Sequence, residues 1–556
     1  MWRPLLVVFI YSIYFITISD AFNIMEKGAP VFTGGNIRDS YFGYTVAVHS
    51  NAGSDKWIFV GAPRDNDTQL QGIDRPGVLY KCKINTTSCQ PIVVDANTLP
   101  ENITLAGKQR TGKNGQWLGG ALDINKADVF VCAHRWYDTN LKLVGTDTYE
   151  WHYFQNGMCY ESDASKPTSW QKYPLLTLEG QNFENKTESR GSVIYYTWGF
   201  GNLGIAVHYV GTDQADVLIG TPGVQSWTGG FVHMRQNNSF YSENKMLPND
   251  TSELIGYAIS SGKYFGDKDV YFAVGGPRLD LTGKVLFFKM TGTLYDLNQP
   301  FLTLNGDENG QMSQLGGYFG SALASADVNK DTFDDLLVGA PMFASKNASG
   351  LDEGRVFVYL GSSVLGRFQL QMSLLNGSDA LRARFGTAIA TLGDINMDGY
   401  GDIAIGAPYE DEDVGAVYIY NGYTDGLWSK FTQRISGKAV QSGLRGFGIS
   451  FSRAIDTNDD QVNDVAVGAF LSDNVVLLQS RPVIQLVGEI ELSTNSRVIN
   501  ILNLPSLQNY TVNSNRKYPY FEFEIKFIFR RSQVIGTNLV DSVIFISHIP
   551  KEHAFN

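Results

Sequence analysis

Asp327-Val-Asn329-Lys-Asp331-Thr-Phe333-Asp-Asp335 places oxygen-bearing side chains at its first, third, fifth and ninth positions. The spacing returns in Asp394-Ile-Asn396-Met-Asp398-Gly-Tyr400-Gly-Asp402 and in Asp456-Thr-Asn458-Asp-Asp460-Gln-Val462-Asn-Asp464. Alternate residues of a tight loop converge on one point, and the seventh, Phe333, Tyr400 or Val462, adds a backbone carbonyl. Such a set suits Ca²⁺, a hard cation that takes about six to eight oxygens. One Asp-rich loop alone reads as a solvated turn, but three in register within a repeat do not. An EF-hand is disfavoured, because flanking helices are missing and position twelve is Val338, Ile405 or Val467 instead of a bidentate acid.

Each loop lies inside a longer phrase. Phe319-Gly320 opens the first and Gly339-Ala-Pro341 closes it; Phe385-Gly386 and Gly406-Ala-Pro408 frame the second, Phe447-Gly448 and Gly468-Ala-Phe470 the third. Four weaker copies lie upstream, opening at Gly43, Gly119, Gly204 and Gly256, and answered by Gly61-Ala-Pro63, Val131-Cys132-Ala-His134, Gly220-Thr-Pro222 and Gly275-Gly-Pro277. Short apolar or alternating runs such as Val356-Phe-Val-Tyr359, bounded by turn residues, read as strands, and no long amphipathic helix is present. Seven multi-strand units predict an all-β chain with a seven-bladed β-propeller over 22–481. The segment from Phe22 to Phe32 precedes the first unit and is expected to supply the outer strand of blade 7. In blade 4, Lys263-Tyr-Phe265-Gly-Asp267-Lys-Asp269-Val-Tyr271 occupies the loop position, with Lys263, Phe265 and Tyr271 in place of oxygen ligands. An ammonium at position one repels a cation, so three calcium sites are expected and not four.

Residues 1–21 read as a secretory signal: Arg3, an apolar run from Leu5 to Ile18, then Ser19-Asp20-Ala21. No other run has membrane-span length, so the chain is expected to be secreted and unanchored. The four cysteines then pair locally, Cys82 with Cys89 and Cys132 with Cys159, although three pairings are formally open. Asn66, Asn85, Asn102, Asn185, Asn237, Asn249, Asn347, Asn376 and Asn509 begin glycosylation sequons. The formal charge of −12 is partly local to the loops. No basic track with interleaved aromatics suggests nucleic acid. From Pro482 the repeat stops, and Phe521–Arg530 and Val543–Ser547 alternate as strands. Residues 482–556 are expected to begin an immunoglobulin-like sandwich within which the chain stops.

Seven such FG-GAP units, calcium loops in the last three, and the phrase Arg481-Pro-Val-Ile484 resemble an integrin alpha subunit of the invertebrate-like kind without an inserted ligand-binding domain. The tail then corresponds to a partial thigh domain, though without that domain's usual cysteines. The resemblance implies an adhesion-receptor head. It implies a non-covalent heterodimer with an integrin beta subunit that binds extracellular-matrix or cell-surface ligands, and a cell-surface location through the partner or a longer form. It implies that the calcium loops stiffen the lower face, and that blade-start aromatics Tyr41, Tyr44, Trp117, Tyr257, Tyr318 and Phe319 form an upper cup for a cationic side chain of the beta subunit. Trp198, Phe200, Trp227, Asp250 and Glu253 fall on the implied ligand face. RGD recognition is not implied, since Thr251 stands where RGD-binding relatives carry an acid.

An FG-GAP propeller attached to a secreted phospholipase is the competing enzyme class. It requires a zinc domain, and His49, His134, His152, His208, His233, His548 and His553 are scattered without ligand spacing. No Gly-x-Ser-x-Gly elbow occurs either. A soluble calcium-stabilised propeller, or a truncated decoy acting without a beta chain, is the remaining alternative.

Overall fold

The computed structural model describes residues 23–50, 56–96, 112–143, 149–174, 187–190, 193–196, 200–211, 216–235, 238–243, 252–290, 295–306, 314–344, 351–371 and 374–481. In the tail it describes the strand backbones 484–491, 509–512, 516–519, 524–531 and 542–546. The predicted signal segment lies outside the described residues. Two compact units divide between Arg481 and Pro482.

The first unit is a seven-bladed propeller. Seven sheets follow one another in chain order, antiparallel except where Tyr295–Asp296 adds in parallel to the outer strand of blade 3, and the first strands of neighbouring blades touch in a closed ring around the axis. Blades 1 to 6 begin with Thr45–His49, Leu118–Ile124, Val207–Tyr209, Ala258–Gly262, Ala322–Ala326 and Ala388–Gly393. Blade 7 begins with Phe447–Phe451. The second strand of a blade is buried on both faces, as along Asp335–Ala340 and Asp402–Ala407, because the next blade stacks on it. This is why such strands read as unbroken apolar runs and not as alternation. Between blades 5 and 6, for example, Leu337, Val356, Phe385, Ile403, Tyr418 and Tyr420 form one buried cluster.

The repeated glycines have a steric cause. A Cβ on Gly61, Gly220, Gly275, Gly339 or Gly406 would come within 1.9 to 2.3 Å of the carbonyl oxygen of the opening glycine of the next blade. The last closing glycine, Gly468, meets Gly43 of blade 1 in the same way, at 1.9 Å. Only a residue without Cβ permits this approach. The exception is blade 2, where Cys132 holds the position and its disulfide to Cys159 packs against Gly204.

The ring closes on its own N-terminus. Val31–Thr33 pairs antiparallel with Asn474–Leu478, which puts the expected outer strand of blade 7 in register with Phe32 fully buried opposite Val475. Two carboxylates anchor the segment that follows: Asp473 accepts from the Asp39 and Phe42 amides and the Ser40 hydroxyl, and buried Asp65 accepts from the Asn36 and Ile37 amides and the Tyr80 hydroxyl. On the inner strands, Arg453 of blade 7 reaches to blades 2 and 3, donating to both Asp123 carboxylate oxygens and to the Tyr209 and Gly211 carbonyls.

In the second unit, Ile484–Glu491, Glu524–Arg531 and Ser542–Ile546 form a three-stranded antiparallel sheet with the middle segment central. Asn509–Val512 and Arg516–Pro519 pair separately.

Candidate calcium loops and interface face

The three Asp-rich loops connect the first and second strands of blades 5, 6 and 7, and they share one backbone. Positions four and six are left-handed in each: Lys330 and Thr332, Met397 and Gly399, Asp459 and Gln461. Left-handed backbone is unfavourable for most L-residues, so its recurrence at non-glycine positions reflects a strong local demand. That demand is a shared net of hydrogen bonds. The first Asp takes the amides of positions five and six, at 3.2 and 2.9 Å for Asp327, 3.0 and 2.7 Å for Asp394, and 3.3 and 2.7 Å for Asp456. Asn329, Asn396 and Asn458 each accept from the amide of position five, and Asp331, Asp398 and Asp460 from that of position seven.

The ninth residue does something the spacing alone does not reveal. Asp335 accepts from the Val328 and Gly361 amides, Asp402 from those of Ile395 and Gly422, and Asp464 from those of Thr457 and Ser480. Each thereby ties its loop to the end of the third strand. All three carboxylates are buried, and burial, reinforced by neighbouring loop carboxylates, pushes Asp335 up to about 8, Asp402 up to about 7 and Asp464 upward. Among the described residues no three His, Cys, Asp or Glu side chains are gathered as a closed metal cage. The loop donors are turned to their own amides, with lone pairs remaining on the oxygens. An all-oxygen set carrying several crowded acids fits Ca²⁺, whose charge offsets both the burial and the mutual repulsion that raise these carboxyls.

Blade 4 adds a cation that the spacing does not reveal, Lys289. The Lys289 ammonium lies 3.1 Å from Asp267 and is also paired with Asp269, while the Tyr271 hydroxyl donates to Asp267 at 2.7 Å. Lys289 sits opposite Tyr271 on the neighbouring strand, so only strand register brings it to the loop.

At the opposite ends of the strands the blade starts form an aromatic floor. The residue two before each opening glycine is left-handed in all seven blades: Tyr41, Trp117, Asn202, Leu254, Tyr318, Arg384 and Gly446. Three of these residues, Tyr41, Trp117 and Tyr318, contribute rings to the floor. Trp117 stands edge-on to Tyr41 and to Tyr44, each at 6.0 Å, and Tyr257 is edge-on to Tyr318 at 6.4 Å. Burial, then the nearby Tyr257, Tyr409 and Tyr41 hydroxyls, raises the pKa of Tyr44. Phe319 does not belong to the floor. It is 2% exposed and packs edge-on against Phe357 at 5.1 Å, because the residue directly before the opening glycine points between blades. Phe470 and Tyr409 complete the floor and escaped the sequence reading. Their signal was positional, since Phe470 replaces the proline of the closing phrase and Tyr409 follows it.

Phe200 and Trp227 stack at 5.5 Å and are 39% and 44% exposed, a surface pair that the sequence placed on the ligand face. Trp227 ends a run of three left-handed residues with Gln225 and Ser226. Glu253 lies beside this face, its carbonyl accepting from the Arg278 amide. Trp198 and Asp250 lie outside the described residues. The disulfides Cys82–Cys89 and Cys132–Cys159 are both formed across paired strands. Of the sequons, Asn85 is exposed in the turn Ile84–Thr86, Asn66 accepts from the Arg75 amide, and Asn376 donates to Asp379. Asn102, Asn185, Asn237, Asn249 and Asn347 lie outside the described residues, as does the side chain of Asn509, which begins a tail strand.

Comparison with known proteins agrees with this architecture. The FG-GAP repeat family matches residues 319–359 and 385–420. The chain is 35% identical over 485 residues to integrin alpha-4 of Xenopus laevis, covering 84% of this chain and 42% of that protein. It is 28% identical over 538 residues to integrin alpha-PS3 of Drosophila melanogaster, covering 86% and 45%. To integrin alpha-8 of Gallus gallus it is 31% identical over 503 residues, covering 87% and 44%. The chain thus spans less than half the length of these relatives. Its curated homologues are integrin alpha subunits.

Proposed function

We propose, from its homology to integrin alpha subunits, that this chain is the head of an adhesion-receptor alpha subunit that pairs with an integrin beta subunit and has no enzymatic role. The observation that carries the reading is the separation of two faces on one homologous propeller. Acid-rich loops lie at one end of the strands, and an open floor of Tyr41, Tyr44, Trp117, Tyr257, Tyr318, Tyr409 and Phe470 lies at the other. Arg64, Arg135 and Arg384 of this chain already lie over Tyr41, Trp117 and Tyr409, so the rings that suit a cationic side chain of the partner, at about 0.5 to 2 kcal/mol per contact, are Tyr44, Tyr257 and Tyr318.

In this reading Asp327, Asn329, Asp331, Asp335 and their counterparts in blades 6 and 7 hold three Ca²⁺ ions, which supply charge neutralisation and rigidity. The exposed Phe200–Trp227 pair, with Trp198, Asp250 and Glu253 nearby in sequence, serves extracellular-matrix or cell-surface ligands. The signal-like start and the two disulfides support an extracellular location. Residues 482–556 form the beginning of a thigh-like sandwich, and residues 22–481 the propeller domain.

Co-secretion with the ectodomain of an integrin beta subunit tests the pairing. Recovery of a one-to-one complex from the medium is expected, reduced by Tyr44→Ala together with Trp117→Ala. A folded, secreted chain that never co-purifies with any beta ectodomain would sink the heterodimer and favour the free-standing propeller.

A further inference from the structure

The first residue after each closing phrase occupies one equivalent place on the floor side of the propeller, and the three that are arginines point to a second recognition feature. In blades 1, 2 and 4 it is Arg64, Arg135 and Arg278, whose amides donate to the carbonyls of Ser40, Gln116 and Glu253, at 3.0, 3.1 and 3.3 Å. Each acceptor lies three residues before its blade's opening glycine. Gly223 of blade 3 and Met342 of blade 5 make the same bond, to Gly201 and Gly317, so the position is set by the repeat. The remaining occupants are Tyr409 and Leu471.

Two of these guanidiniums stack on rings of the floor: Arg64 at 4.6 Å from the Tyr41 centroid and Arg135 at 5.1 Å from that of Trp117. Those rings themselves touch, at 6.0 Å. Arg135 and Arg278 are exposed and Arg64 is half-buried. Among the described residues none of the three is paired with a carboxylate. Over blades 5 to 7 four arginines are paired, Arg384 with Asp352, Arg355 with Asp379, Arg434 with Asp411 and Arg445 with Asp413, while Arg382 has no carboxylate partner among the described residues. Unneutralised guanidiniums thus lie over blades 1, 2 and 4, whereas the acidic run Glu410–Asp413 over blade 6 is largely paired by Arg434 and Arg445. Beside the arginines, the Trp117 indole N–H, the Gln116 side-chain carbonyl and His134 Nδ1 are buried and have no hydrogen-bond partner among the described residues.

We propose that Arg64, Arg135 and Arg278 form a basic arc that receives carboxylates on the docking face of the beta subunit. This rests on the heterodimer reading. A stacked guanidinium has little rotamer freedom left to lose and offers its edge N–H groups to a carboxylate. Charges at the rim of an interface act chiefly on the rate of association, and salt screens them.

Association of the secreted chain with a purified integrin beta ectodomain is measured by surface binding from about 0.05 to 0.5 M salt. Wild type is expected to associate more slowly as salt rises. The triple variant R64Q/R135Q/R278Q is expected to associate about tenfold more slowly at low salt and with a flattened salt dependence. Arg367→Gln, an exposed arginine in the loop after the third strand of blade 5, serves as the control and leaves both unchanged. Thermal midpoints near wild type establish that the variants are folded. A wild-type complex whose rate and salt slope survive the triple substitution overturns the basic arc alone. Absence of any wild-type complex overturns the heterodimer reading, and the arc with it.

Discussion

Lys289 lies 3.1 Å from the Asp267 carboxylate, placing a tethered ammonium against the blade-4 loop where the three following blades present acid-rich loops to solvent. The residue facing the loop's ninth position is Lys289 in blade 4, whereas the corresponding places in blades 5, 6 and 7 are Leu360, Asn421 and Gln479. Chelation of calcium should therefore loosen blades 5 to 7 and leave blade 4 protected. Hydrogen exchange is expected to show faster amides around 327–335, 394–402 and 456–464 after EDTA treatment, with 263–271 unchanged. In Lys289→Gln, blade 4 should exchange faster, and added calcium should not restore it.

Removing one loop acid tests the metal reading directly. Asp398→Ala is expected to lower the thermal midpoint in calcium while changing it much less in EDTA, because the fifth-position acid contributes mainly through the ion. Wild type with the same midpoint in calcium and in EDTA would count against a structural metal. The mechanism is mass action: an ion that binds only the folded state stabilises it by RT ln(1 + c/Kd), where c is the free calcium concentration.

Phe32 carries the closure. Its ring is fully buried in the cluster that blade 7 shares with blade 1, with Phe42, Val60 and Tyr80 among its members, and Phe32→Ala should cost about 3 to 5 kcal/mol. Denaturant titration followed by tryptophan fluorescence measures it, and a loss below about 1 kcal/mol would mean that the ring is closed by other contacts.

Arg453 ties blade 7 to blades 2 and 3 through a two-pronged contact with Asp123, at 3.1 and 2.7 Å. Arg453→Ala should destabilise by about 1 to 3 kcal/mol, the range for a hydrogen bond to a charged partner. Asp123→Asn, which keeps the shape and removes the charge, should cost less. Equal losses from the two would argue for charge over packing.

Acidification should weaken the propeller through His134. Burial pushes this imidazole down to about 3, with the neighbouring Arg135 adding to the effect. Above about 6.5 the histidine is neutral both folded and unfolded and contributes no pH dependence. As pH falls below that value the unfolded chain takes up a proton that the fold refuses, so stability is lost progressively until the folded group titrates. Up to about 2 kcal/mol is expected to disappear by pH 5. Thermal midpoints of wild type and His134→Gln between pH 7.5 and 5 check the sign: the variant should lose less.

Chain-local chemistry was legible without a structure. Spaced acids in Asp327–Asp335 and its two copies, the opening and closing glycines, and the cysteine spacing each depend on residues close in sequence or repeated at a regular interval, and they determined the blade number, the loop positions and the disulfides. Contacts between distant segments were decided only by the tertiary structure. Phe319 was read as a surface ring because its sequence neighbours are aromatic, yet strand direction points it between blades. Lys263 was read as the disqualifying charge, while Lys289 does the pairing because antiparallel register sets it opposite Tyr271. Phe470 and Arg453 are separated by hundreds of residues from Tyr41 and Asp123, and only closure of the ring brings them together. A repeat sequence specifies each blade through local strand pairing; the sharing of a central axis by seven blades is a property of the closed ring, and the floor side's rings and charges exist as a surface only there.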